Sequence, residues 1–109
     1  MAYDETLADR VRDVLAPRAD VGERKMFGGI AFMVGGNMAV GVLGEELMVR
    51  LDPDDAEQAL AESNTRPMDF TGKPMKGMLF VEPAGTEADA DLAGWVEAGA
   101  DHAASLPPK

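Results

Sequence analysis

Six cations in and around one glycine-punctuated stretch are the residues best placed to do chemistry in this chain. Arg24, Lys25, Arg50, Arg66, Lys73 and Lys76 could pair with carboxylates or phosphates, and Arg50 stands out because it falls in an apolar run, Leu47-Met48-Val49-Arg50-Leu51. A cation drawn into such a run needs an anionic partner. Asp52, Asp69 or a ligand carboxylate could supply it, and a structural salt bridge is the favoured reading.

Other chemistries find little support. The chain has no cysteine, which removes thiolate ligands, disulfides and cysteine nucleophiles. Its single histidine, His102, reads as a surface residue and has no second imidazole for a zinc site and no serine-histidine-aspartate set. Glu45-Glu46 and Asp54-Asp55 lie at a turn and at a helix start, where carboxylates are solvated instead of converging in a cleft. Gly72-Lys73 has a phosphate-loop flavour, but Pro74 removes a backbone donor and no helix follows at once. The eight methionines could in principle ligate Cu(I); adaptable core filler and a repacking interface are the commoner uses. No metal, cofactor or catalytic residue is therefore assigned.

The bulk numbers limit partners. There are 109 residues, 20 acidic against 10 basic, giving a net charge of −10. That field repels phosphate backbones, so direct nucleic-acid binding is disfavoured. The acid is unevenly spread: Pro83 to Pro108 holds five acidic residues and no lysine or arginine, whereas Arg66 to Lys76 holds three cations and one acid, Asp69. The length suits a single domain over 1–109. The N-terminus is acidic and no apolar run approaches a membrane span, so the expected location is the cytoplasm, away from the membrane.

The elements that position these residues follow from periodicity. Leu7, Val11, Val14 and Leu15 trace one side of an opening helix, capped by Asp4 or Thr6 and stopped by Pro17. From Arg24 to Leu51 the period changes to two. Ile30, Phe32 and Val34 share one side of a strand, Met38, Val40 and Val42 one side of the next, and Leu47, Val49 and Leu51 one side of a fourth run, with glycine-rich hairpin turns between. The opposite face carries Ala31, Met33, Ala39, Gly41 and Met48, too apolar to stand in water; another element or a second subunit should cover part of it. Asp52-Pro53 starts a short second helix with a narrow face of Ala56, Ala59 and Leu60. Two prolines and two glycines between Arg66 and Gly77 predict a structured loop with a brief extended piece near Met68. Met78 to Glu82 reads as an inner strand. Thr86-Glu87-Ala88-Asp89 resembles a capping box opening a last helix, whose stripe of Ala88, Leu92, Trp95, Val96, Gly99 and Ala103 places Trp95 as a core anchor. The expected architecture is α+β: two layers, an antiparallel sheet of about five strands packed by helices, in the order α-β-β-β-β-α-β-α.

The words Arg24-Lys25-Met26-Phe27-Gly28-Gly29, Met48-Val49-Arg50, Arg66-Pro67-Met68-Asp69-Phe70 and Pro74-Met75-Lys76-Gly77, in this order, resemble the N-terminal domain of the TfoX (Sxy) competence-regulator family over roughly Leu7 to Leu106. The resemblance implies a two-layer fold like that of secretion chaperones, a bacterial regulatory role that in some members concerns DNA uptake, and no established catalytic residues. The C-terminal helical domain of those regulators is not expected in this chain. Together with the residue chemistry it leaves two functional expectations. The first is a non-enzymatic binding or regulatory module that contacts an unidentified protein partner, or a second copy as a homodimer, through the semi-apolar face or the Arg66 to Lys76 loop. The alternative is a small anionic-ligand binding protein or enzyme with a site around Arg24, Arg50 and Lys76. Arg24, Lys25, Met26, Phe27, Arg50, Arg66, Lys73 and Lys76 are the candidate binding residues.

Overall fold

The computed structural model describes residues 3–26, 28–67 and 77–108. Helix α1 (Glu5–Leu15) leads into strands β1 (Val21–Met26), β2 (Gly29–Val34), β3 (Asn37–Leu43) and β4 (Glu46–Arg50); helix α2 (Pro53–Ala59), strands β5 (Thr65–Pro67) and β6 (Met78–Val81), a 3-10 turn at Pro83–Gly85 and helix α3 (Asp89–Ser105) follow. One six-stranded sheet results, in the order β1-β2-β3-β4-β6-β5, with every pair antiparallel.

The hairpins close as their turn residues require. Val34 pairs with Asn37 across a two-residue loop, Gly35-Gly36, in which both residues have positive φ (60° and 83°). That loop matches the right-handed twist of the flanking strands, and glycine occupies it without the steric cost of a Cβ.

All three helices lie on one face of the sheet. Leu7, Val11 and Leu15 of α1, Ala56 and Ala59 of α2, and Leu92, Val96, Ala100 and Ala103 of α3 join Ile30, Phe32, Val40, Val42, Leu47, Val49, Leu79 and Val81 in a single buried core. The helix starts are capped as the sequence suggests for α1, where the Asp4 carboxylate accepts from the Thr6 and Leu7 amides at 2.9 and 3.2 Å, and for α2, where Asp52 accepts from the Asp54 amide at 3.1 Å.

Four local expectations need correction. First, the described residues form six strands instead of about five: β5 is a brief extended piece that ends at Pro67, next to Met68, which lies outside the described residues, and it places β6 in the inner position expected of it. Second, the register between β2 and β3 shifts between Phe32 and Met33, so Ala39 has no partner and Met38 pairs with Met33. Such a bulge turns Met38 to the face away from the helices, while Val40 and Val42 keep the core face and Ala39 is buried against it. Third, α3 begins at Asp89 with Ala88 at the N-cap and no side-chain cap; the Thr86 hydroxyl instead donates to the Pro83 carbonyl at 3.2 Å inside the 3-10 turn. Fourth, Trp95 is half-buried at the edge of the core and not enclosed in it.

Candidate functional site

The face turned away from the helices carries Arg24, Arg50 and Arg66 together with Met33, Met38, Met48 and Met78. Register partners run straight across the sheet: Arg24 opposite Ala31, Ala31 opposite Gly41, Gly41 opposite Met48, Met48 opposite Phe80, and Phe80 opposite Arg66. Directly opposed residues of antiparallel strands share a face. One row of side chains therefore crosses all six strands, with an arginine at each edge and small or apolar residues between.

Gly41 shapes the middle of this row. A Cβ at Gly41 would sit 2.6 Å from the Met48 methyl carbon and 3.4 Å from that of Met38, so the two thioether ends converge over the space the glycine leaves open. Met48, Met78 and Phe80 form a second, smaller cluster with Met38 and Leu43 packed against it. The chain itself covers the centre of the face: Met48 is 1% and Phe80 3% exposed. Met33, Met38, Leu43 and Arg50 remain half-buried around that centre, and Arg24 and Lys25 are exposed on the β1 edge.

The cations differ in what they already hold. Arg66 lies over the Phe80 ring with its guanidinium carbon 4.3 Å from the centroid, and its fork donates to both carboxylate oxygens of Glu46, Nε at 3.0 Å to Oε2 and Nη2 to Oε1. Hydrogen bonding to Glu46 raises the Arg66 pKa further above its ordinary value. In the helical layer, Arg12 binds Glu23 through Nε and Nη2, both at 2.8 Å, and Asp9 at 2.6 Å, while Arg18 binds Glu97 and Asp101 at 3.0 and 2.6 Å. Arg10 ties α1 to the start of α3 through the Thr86 carbonyl at 2.7 Å and Asp89 at 3.0 Å. By contrast, among the described residues Arg24, Lys25 and Arg50 make no salt bridge.

For Arg50 the expected structural salt bridge to Asp52 is not formed, and Asp69, the other expected partner, lies outside the described residues. Asp52, a proposed partner, is instead the N-cap of α2. Arg50 sits opposite Met78, half-buried beside the methionine cluster. Arg24 and Arg50 share a face but stand on β1 and β4, three strand spacings apart, or roughly 14 Å. Met26 contributes its backbone to β1; Phe27, Lys73 and Lys76 lie outside the described residues. Among the described residues, no three histidine, aspartate or glutamate side chains converge to hold a metal ion, and no helix is long and apolar enough to cross a membrane.

The sequence marked the edge cations and the apolar second face. It did not reveal that Arg66 and Glu46 would meet, since they are twenty residues apart and become neighbours only through the β4-β6-β5 pairing.

An antiparallel sheet clad by helices on one side, with a methionine-rich, arginine-edged surface on the other, defines an α+β domain. The family comparison agrees with that architecture: the model of the TfoX N-terminal domain matches residues 13–103. The chain belongs to the TfoX N-terminal domain family. No curated protein and no solved structure matches it.

Proposed function

We propose that this domain is a non-enzymatic binding module with a regulatory role, taking a protein partner at the β1 side of the methionine-rich face. The observation that carries the reading is the contrast among the cations of that face. Arg66 is satisfied by Glu46 and Phe80, whereas Arg24 on the exposed edge strand and Arg50 beside Met78 are unpaired among the described residues. Unpaired cations bordering adaptable thioether side chains suit an acidic, partly apolar protein surface. Because the centre of the face is covered by the chain itself, the surface left for a partner is narrower than the sequence suggested: Arg24, Met33, Met38 and Arg50 on the face, with Lys25, opposite Ile30 and so turned to the helical side, reached only along the β1 edge. Capture from native extract, identification of the bound protein and titration of the purified pair test this. Arg24→Glu combined with Lys25→Glu should weaken the complex at least about tenfold, or 1.4 kcal/mol, without unfolding the domain. A partner bound equally well by the charge-reversed protein would place the interface elsewhere.

Arg50, half-buried and unpaired among the described residues, favours a second reading, an anionic small-molecule group held at that one residue. Thermal-shift screening against carboxylates and phosphates tests it, with stabilisation expected for the wild type and lost in Arg50→Ala. Equal stabilisation of both proteins, or none, removes it.

A further inference from the structure

The opposite side of the molecule carries a cleft of about 970 Å³ between α2, the turn before β5 and α3. Its charge is of one sign. Among the described residues, Asp55, Glu62 and Asp91 line it and no lysine or arginine does. Its floor on α3 is shallow because the residues there are small: Ala90, Gly94 and Ala98 recur at i, i+4 and i+8 and are all exposed. A Cβ built on Gly94 meets nothing within 4 Å, so the cleft is open above it. Beside this stripe stands the half-buried indole of Trp95, the only tryptophan in the chain.

From this combination we infer that the cleft is a docking groove for a cationic amphipathic helix of a protein partner, distinct from the arginine-edged face. Charge complementarity selects the sign: three of the carboxylates of a molecule with net charge −10 gather at the cleft. The small-residue line on α3 lets a second helix approach closely, since packed helices come nearest where side chains at the contact are smallest. Trp95 offers a rigid aromatic surface for the apolar side of that helix and a ring face for a lysine or arginine. The groove therefore reads basic residues and shape together, whereas the other face reads acidic ones. The two surfaces can be disabled separately.

Trp95 supplies the readout. A synthetic eighteen-residue leucine-lysine amphipathic peptide is titrated into the whole protein while tryptophan emission is followed, with a leucine-glutamate peptide as control. The lysine peptide should change the emission saturably, the glutamate peptide should not, and Asp55→Lys with Asp91→Lys should weaken the response at least about tenfold. Gly94→Leu fills the groove without changing charge and should weaken it by a similar factor, with circular dichroism confirming that each variant is folded. Unchanged peptide binding by Gly94→Leu would overturn the proposal, because it would reduce the effect to bulk attraction by an acidic protein. Spermine run in parallel separates a small polyamine from a helix: saturation by spermine at lower concentration than by the peptide would also overturn it. Failure of these experiments leaves the Arg24 and Lys25 interface untouched, since neither residue lines the cleft.

Discussion

Gly99 of α3 lies directly against Ala39 of β3, so close that a Cβ at Gly99 would fall 2.6 Å from the Ala39 carbonyl oxygen and 2.8 Å from a Val40 methyl group. Ala39 is also the residue left without a partner by the register shift. The helix thus comes into close contact with the sheet where the strand is bulged, and the contact depends on the absence of a side chain.

Gly99→Ala should accordingly destabilise the domain by about 1–3 kcal/mol, the range for overpacking a close contact with backbone. Gly94→Ala, five residues earlier on the same helix, meets open space and should stabilise by about 0.4–1 kcal/mol through lower unfolded-state entropy and better helix propensity. Urea titration of the two variants checks both signs at once.

Arg12 makes a pH-dependent link between the helical layer and the edge strand. Hydrogen bonding to Arg12 is the main cause that lowers the Glu23 pKa, partly offset by burial. A carboxylate depressed in the folded state contributes stability that is fully present above its unfolded value of about 4.3 and is lost as the pH falls through the lower, folded value. The Glu23 side chain is 40% exposed, so solvent screening keeps the contribution at or below about 1 kcal/mol. Denaturation of wild type and Glu23→Gln between pH 7 and pH 3 should show curves that converge as the pH drops, with the variant weaker at neutral pH. Parallel curves across that range would mean that the pair contributes nothing.

Arg66→Lys should cost about 0.5–1 kcal/mol although the charge is retained. Lysine has neither the fork that meets both Glu46 oxygens nor the planar surface that lies over Phe80. Comparing Arg66→Lys with Arg66→Ala in chemical denaturation separates geometry from charge: if lysine restored full stability, the stacking and the paired hydrogen bonds would carry no weight.

The layout was largely legible in the residues, and each miss has a local cause. Alternation of Ile30, Phe32 and Val34 against Ala31 and Met33 was enough to place β2, since one strand with one apolar face has one solution. The same alternation misplaced Met38, because a single unpaired residue at Ala39 reverses every side chain on one side of it and leaves no mark in the hydrophobic pattern. Thr86 looked like a helix cap because threonine three residues before an acid fits one, yet the Pro83–Gly85 turn took its hydroxyl first. The edge cations were visible as residue types, but which of them would be satisfied depends on strand order. Pairing of β5 with β6 brings Arg66 to Glu46, and nothing in the spacing of those two residues could show it.

The central claim, a protein-binding module working through the β1 side of the methionine-rich face, is tested most directly by isothermal titration of the purified partner into wild type and into Arg24→Glu/Lys25→Glu. At least about a tenfold loss of affinity in the charge-reversed protein, with its thermal unfolding unchanged, is the predicted result. Equal affinity of the two proteins would contradict it.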